Sequence, residues 1–487
     1  MSSPHHVGVV IVGTGFSGLG MAILLRRAGI TDFVVLEKAA RVGGTWRENS
    51  YPGAACDIPS HLYSFSFEQN PEWTRAFSPQ AEILAYLERC ATRYEVRPHI
   101  HFGAEVRSAA WDEAAARWTL RCADGRVFVA RAFVLGNGAL HLPAFPDIPG
   151  LASFAGKSFH SAQWDHGHDL TGRDVAVIGT GASAIQMVPA IAPIVGKLRL
   201  FQRTPAWVMP KPDHAIGTRA RSLYARWPAL QRLVRASIYW RLEGRALGFA
   251  KPAILRFAEP LVRYHITRSV RDPQLRAALI PDYRMGCKRI LLSNDYYPAL
   301  QRPNVEVVTT AIDHVEPGGI RTRDGTLHPA DTIVLGTGFR VSEYLSAITI
   351  TGAGGLDLNH LWRDGPGAYL GITVAGFPNL FLLMGPNTGL GHNSMIFMIE
   401  AQARYTLQCI QALRGAAGLR ALDVRPEILS AFNAELQAKL RRSVWATGCQ
   451  SWYQTAAGHN SAVWPGFTVD YWRRTRRLRL ADFATEA

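Results

Sequence analysis

The sequence predicts an α/β protein with two Rossmann-like dinucleotide-binding domains, the second carrying a helical insert. Two glycine-rich loops carry that prediction, each closing an apolar strand and opening a helix. The first is Gly13-Thr14-Gly15-Phe16-Ser17-Gly18 after Val7 to Val12, and the second is Gly179-Thr180-Gly181-Ala182-Ser183-Ala184 after Val175 to Ile178. A chain with 44 glycines produces Gly-x-Gly-x-x-Gly strings by chance. A strand before and a helix after is the context that makes them phosphate sites. There the glycines permit a tight turn and close backbone approach, and the helix N-terminus faces the pyrophosphate.

The residue ending the next strand distinguishes the two ligands. Glu37 lies 24 positions after Gly13, at the end of Asp32 to Leu36. A carboxylate there accepts hydrogen bonds from a ribose diol. Arg203 lies 24 positions after Gly179, at the end of Leu198 to Gln202. A guanidinium suits a 2′-phosphate instead. The first loop is therefore expected to bind FAD and the second NADPH.

The elements follow in order. Residues 1–150 read as the first part of the FAD-binding domain: the strand-helix-strand unit, a loop-rich stretch, and a β section over His101 to Trp111, Ala115 to Cys122 and Val127 to Leu135. That section ends at Gly136-Asn137-Gly138, and prolines 143, 146 and 149 mark a linker. Residues 151–338 read as the NADP-binding domain, interrupted by a helical insert over about 214–280. Its sheet resumes with Val305 to Val308 and Asp331 to Leu335 and ends at Gly336-Thr337-Gly338, the second crossing point. Residues 339–487 return to the FAD-binding domain. There Leu380 to Met384 leads through Gly385-Pro386-Asn387-Thr388-Gly389 into a long helix near Ser394, whose N-terminus can stabilise negative charge on a reduced flavin.

Composition narrows the class. Hydrophobic content of 48% and charged content of 19% indicate a globular chain. The uncharged run Val7 to Leu25 lies in a phosphate-binding pattern and lacks a basic n-region, so a soluble cytoplasmic protein is expected. The six cysteines are scattered, with no Cys-x-x-Cys pair. That spacing suggests neither zinc nor a redox disulfide, and it argues against dithiol reductases. No metal is called for. Net charge is +15, and between His214 and Arg284 fourteen Lys or Arg face four acids. A solvated basic face, steering of NADPH, or peripheral contact with anionic membrane would each use that charge. No nucleic-acid recognition module accompanies it.

One segment is specific. Phe154-Ala155-Gly156-Lys157-Ser158-Phe159-His160-Ser161-Ala162-Gln163-Trp164-Asp165 resembles, at each defined position, the Phe-x-Gly-x-x-x-His-x-x-x-Trp-Pro/Asp fingerprint of the type I Baeyer–Villiger monooxygenases. The resemblance extends from residue 8 to about residue 472. It implies that His160 and Trp164 couple cofactor movements at the domain junction, with His160 not acting as a proton carrier. Gly43-Gly44-Thr45-Trp46 resembles the family segment around the FAD pyrophosphate. Tyr51-Pro52-Gly53-Ala54-Ala55-Cys56-Asp57 supplies the family's active-site acid, and Cys287-Lys288-Arg289 the arginine over the flavin.

Carried over, the FAD set is Gly13, Gly15, Phe16, Ser17, Gly18, Glu37, Gly44, Thr45, Trp46, Asp57, Tyr63, Val106 and Met395. The NADP set is Gly179, Thr180, Gly181, Ser183, Ala184, Gln186, Arg203, Thr204, Lys288 and Arg289. Arg289 and Asp57 are the implied catalytic pair, and Trp452 in Ser451-Trp452-Tyr453 resembles a mobile lid. Ala55 departs from the pattern, since many family members have a longer basic side chain there.

The implied activity uses NADPH and O2 to insert one oxygen beside a ketone carbonyl through a C4a-peroxyflavin, giving an ester or lactone. Sulfoxidation is a further possibility. The alternative is an N- or S-oxygenating flavin-containing monooxygenase, which would not require Arg289 or Trp164.

Overall fold

The computed structural model describes residues 3–486 except 344, 416–417, 449–452 and 455–457. Two sheets organise the chain. The flavin-side sheet runs, from one edge to the other, Thr349–Thr351, Val106–Asp112, Arg117–Cys122, Val127–Leu135, His5–Val12, Phe33–Glu37 and Ile100–Phe102, with Leu380–Leu382 also paired to Val127–Leu135. His5–Val12 lies parallel to both Phe33–Glu37 and Val127–Leu135. Its apolar residues Val9 to Val12 are buried, as expected for a parallel strand covered on both faces.

The second sheet is wholly parallel, in the order Val305–Val308, Lys197–Phe201, Asp174–Ile178, Thr332–Leu335, Lys157–His160. The fingerprint segment thus supplies its edge strand. A three-stranded antiparallel meander (Ile312–Glu316, Gly319–Thr322, Leu327–Pro329) lies between the last two chain crossings of this sheet.

The long helix expected near Ser394 is Met395–Arg414. The Ser394 side chain caps it by accepting from the Ile396 amide at 3.3 Å. It packs in one apolar core with the helix Phe16–Arg27, where Gly20 leaves room for the Phe65 ring.

The insert comprises the helices Thr218–Arg226, Pro228–Glu243, Ala246–Ala250, Pro252–Ser269 and Pro273–Leu279. Three of them begin with proline, whose missing N–H costs nothing in a first helical turn.

One expectation needs correction. The single strand over His101 to Trp111 is two, broken at Gly103, whose φ of 64° suits glycine. Ile100–Phe102 joins Phe33–Glu37, whereas Val106–Asp112 turns away into the antiparallel section. Cys287 is disulfide-bonded, which the cysteine spacing, read only against zinc and a redox disulfide, did not foretell. Local spacing motifs report only cysteines close in sequence. Cys56, Cys90, Cys122 and Cys409 are free and buried.

Candidate active site

The first glycine loop is a backbone cradle. Gly13 has φ 95° and its amide donates to the Leu36 carbonyl at 2.8 Å. A Cβ on Gly18 would fall 1.9 Å from the Gly13 carbonyl oxygen, and one on Gly44 would fall 2.9 Å from the Gly15 Cα. Two loops therefore meet backbone to backbone, with the Gly43 amide donating to Thr14 O at 3.1 Å. Glycine is required because side chains would fill the slot, which fits a pyrophosphate.

Glu37 is buried, and its carboxylate accepts from the Thr14 hydroxyl at 2.6 Å, the Thr14 amide at 3.0 Å and the Ala39 amide at 2.9 Å. Arg47 lies 3.2 Å from it. The acid expected to hold a ribose is thus fixed beside the slot. Ser17 and Phe16 are buried at the helix start, and Thr45 and Trp46 open the short helix after Gly44. The Trp46 indole donates to the Tyr63 hydroxyl at 3.1 Å, and Phe16 meets the Tyr63 ring edge to face. Met395 packs against the same core, whereas Val106 packs with Val12 and Leu36 under the strand ends.

The second cradle is more open. Gly179 has φ 110° and would clash with the Gly336 carbonyl if it carried a Cβ, while nothing lies within 4 Å of a Cβ on Gly181. The Thr180 hydroxyl donates to the Thr204 carbonyl at 2.8 Å and holds the loop against Arg203-Thr204. Ser183 precedes the helix Ala184–Ile191, with Ala184 buried.

Burial and the neighbouring Arg203 both lower the pKa of Lys288. Two cations held together repel unless an anion joins them, and a 2′-phosphate is an anion of the right kind.

Gln186 joins the two halves. Its amide oxygen accepts from the Tyr51 hydroxyl at 2.9 Å and the Ala55 amide at 3.3 Å, and its NH2 donates to the Ala55 carbonyl at 2.9 Å. Gly53 packs so closely on this helix that a Cβ would fall 2.5 Å from the Gln186 carbonyl. The polar side-chain atoms of Gln186, expected near NADP, are thus engaged with the flavin-side loop.

That loop ends at Asp57. Arg289 donates from Nε to Asp57 Oδ2 at 3.0 Å and from Nη2 to the same oxygen. The two side chains are 35% and 31% exposed, so a small molecule can still reach the pair. Burial pushes the Asp57 carboxyl up, but the Arg289 charge, with help from Lys211, outweighs it and holds the carboxyl below the usual range. Asp57 in turn raises the Arg289 pKa, so the guanidinium keeps its proton.

Tyr453 is buried beside Arg289 and hydrogen-bonded to it; burial raises its hydroxyl pKa, and Arg289 partly offsets this. Lys211 stands over the Phe77 ring at 5.1 Å, and burial lowers its pKa while Asp213, Cys56 and Asp57 pull it up. The sequence assigns no role to Lys211 and places Tyr453 only in the segment that resembles a lid. Trp452 lies outside the described residues.

The fingerprint residues lie at the edge of the parallel sheet, beside the chain crossings. A Cβ on Gly156 would fall 2.2 Å from the Asp331 carbonyl oxygen, Phe154 is buried, and Asp165 pairs with Lys157 at 2.9 Å. Trp164 meets Phe159 edge to face. His160 is fully buried against Phe145 and Phe339, with its Nδ1 accepting from the Ala162 amide at 3.1 Å. Burial lowers its pKa. Beside it the chain crosses twice: Ala144 N donates to Gly338 O at 2.9 Å, and Arg340 N to Leu142 O at 2.9 Å.

Comparison with known proteins bears on this geometry. A sequence model of the family described as pyridine nucleotide-disulphide oxidoreductase matches residues 10–220, spanning both glycine loops. A Baeyer-Villiger monooxygenase of Streptomyces coelicolor is 51% identical over 481 residues, covering 98% of this chain and 92% of its own. This chain belongs to the Baeyer–Villiger monooxygenases. Cyclohexanone monooxygenase from Rhodococcus sp. Phi1, solved bound to NADP+, superposes with a TM-score of 0.90 at 29% identity, covering 100% of both chains. The OTEMO complex with FAD and NADP gives 0.90 at 28% identity, again over 100% of both. In this Baeyer–Villiger monooxygenase the two cradles therefore lie on a fold that holds two nucleotides in a relative.

Proposed function

We propose that Arg289, held by Asp57, is the catalytic cation with which this monooxygenase converts a ketone to an ester or lactone, using FAD and NADPH. Bound FAD supplies the redox chemistry: it takes two electrons from NADPH and activates O2, one atom of which enters the product while the other leaves as water. The chain's own residues supply charge and position.

Attack on a ketone carbonyl places negative charge on its oxygen. A permanently charged, forked donor aimed at that oxygen stabilises the charge as it develops. Arg289 meets that requirement because two of its donors are fixed by Asp57, which sets the guanidinium plane, and the N–H groups that neither Asp57 nor Tyr453 engages can serve the reacting oxygens. Tyr453 holds the same group through a further hydrogen bond. The single observation that carries the reading is the Arg289–Asp57 pair at the loop that Gln186 clamps to the NADP side. Arg203 and Lys288 would bind the 2′-phosphate, and Glu37 the ribose of FAD.

The test is a panel of ketones and one tertiary amine, scored by mass for ester or lactone and by NADPH consumption above the uncoupled background. Ester from at least one ketone supports the reading. N-oxide formation with no ester from any ketone overturns it.

A further inference from the structure

We propose that the outward face of the helical insert docks on an anionic lipid surface. Among the described residues sixteen large apolar side chains are exposed, and nine of them fall between Leu223 and Tyr264. They lie on faces. Along Pro252–Ser269, Ile254, Phe257, Leu261 and Tyr264 recur at intervals of three and four, which puts them in one stripe. Phe257, Leu261 and Tyr264 are 86%, 69% and 60% exposed. The opposite side of the same helix buries Val262 against Trp207 and Met285, and Ile266 in the core of the parallel sheet. The helix is therefore already anchored without its outer stripe. Pro228–Glu243 repeats the arrangement: Leu233 and Trp240, seven apart, face out, while Ile238 and Leu242 pack on Leu62. Trp227 stands exposed at its start.

Charge selects the occupant. Between residues 218 and 269 there are eleven Lys or Arg and two acids. Both acids turn inward. Glu243 is buried and accepts from Asn393, Thr468 and the Val469 amide. Glu259 accepts from the Met285 amide at 3.0 Å. Eight of the cations, Arg241, Lys251 and Arg256 among them, are exposed. Residues 218–269 thus present aromatic and aliphatic side chains among cations, with no exposed carboxylate of their own; the exposed acids Glu72, beside Arg221, and Asp272, at the start of the next helix, flank them.

A second copy of this face would set like charge against like. An interface of anionic headgroups over acyl chains matches both features, with Trp and Tyr at the boundary and Phe and Leu below it. No helix among the described residues is long and apolar enough to cross a membrane, so the contact is peripheral. The inference does not depend on the assignment of Arg289.

The experiment is co-sedimentation of the FAD-loaded enzyme with vesicles of phosphatidylcholine alone, or with about one third phosphatidylserine, at low and high salt. Wild type should pellet with the anionic vesicles, be released by salt, and stay in solution with the neutral ones. Arg241→Glu with Arg256→Glu should weaken binding by at least about tenfold, since each cation near such a surface is worth about fivefold. Phe257→Ser with Leu261→Ser should weaken it at low salt, although the charge of the face is unchanged. Unchanged NADPH oxidation shows that each variant is folded. Failure of wild type to pellet, equal pelleting with both vesicles, or a dimer in solution that Phe257→Ser dissociates overturns the proposal.

Discussion

Arg289 and Asp57 meet through two donors on one carboxylate oxygen, although 232 residues separate them. The strand Leu291–Leu292 makes the meeting possible. It pairs parallel with Val208–Met209, and Lys211, which follows that strand, faces the same carboxylate. Asp57 thus feels two cations, and the one whose two donors converge on its Oδ2 is oriented while still reachable.

Arg289→Ala should lower ester formation by about 10²–10³-fold, the usual cost of removing a donor that acts on developing charge. Flavin reduction by NADPH, followed by stopped-flow absorbance, should persist. Arg289→Lys should recover little, because a point charge cannot keep both the grip on Asp57 and donors toward the reacting oxygens. Normal ester turnover in Arg289→Ala would falsify the assignment.

The pair also has a pH signature. The folded-state pKa of the Asp57 carboxyl is held below the unfolded value of about 3.9. Its contribution to stability is therefore fully present above that value and is lost as pH falls through the folded pKa. Asp57→Asn should melt below wild type at neutral pH, and the gap in Tm should close as acidification passes below about pH 4. A gap that stays constant to about pH 3 would mean that the carboxylate charge contributes nothing to the fold.

Much of this was legible in the sequence for a local reason. A glycine loop between a strand and a helix is written in consecutive residues, as is the fingerprint, so both cradles and His160 are found where spacing puts them. The Gln186 clamp was not legible as a clamp, because its partners Tyr51 and Ala55 lie on the other domain and nothing near Gln186 points to them. Lys211 sits between two prolines and carries no motif; only the pairing of Val208–Met209 with Leu291–Leu292 brings it toward Asp57. The insert's charge was visible by counting, but its apolar stripe needed to be separated from the inner face, and both faces of that helix are apolar.

Arg203 and Lys288 make a prediction about cofactor choice. Arg203→Ala should raise the KM for NADPH by about 10–100-fold, as expected for loss of a charge-assisted hydrogen bond, and leave that for NADH within a few-fold. Because two exposed or half-exposed cations act together, the wild-type KM for NADPH should rise with salt and the variant's less so. Steady-state kinetics with both nucleotides at two ionic strengths checks this. An Arg203→Ala enzyme that prefers NADPH as strongly as wild type removes the phosphate role.

Glu243 ties the insert to the flavin side through Asn393 at 2.7 Å, the Thr468 hydroxyl at 2.7 Å and the Val469 amide at 3.0 Å. Glu243→Ala leaves those donors buried without an acceptor, at a cost of about 3 kcal/mol. Glu243→Gln, which keeps one acceptor, should cost less. Thermal melts of the two variants, read with flavin fluorescence to follow FAD release, test the order. Equal Tm values for Ala and Gln would show that the carboxylate oxygens do not hold these donors.

His160 separates a hinge from a proton carrier. Its ring is buried between Phe145 and Phe339, beside the two chain crossings, and burial holds its pKa below the usual histidine value. It is therefore neutral at working pH, and the stability tied to that neutral form is present above about pH 6.5 and lost as pH falls toward the lower folded value. His160→Gln keeps an acceptor for the Ala162 amide but not the ring packing against both phenylalanines. The variant should consume NADPH with less ester per NADPH, because the crossings lose their support, while the shape of its pH profile for ester formation between about pH 6 and 8 stays that of wild type. A proton carrier would behave in the opposite way: coupling would hold and a limb of the pH profile would disappear with the imidazole. Ester yield per NADPH measured across that pH range distinguishes the two, and loss of a limb with full coupling would return His160 to the chemistry.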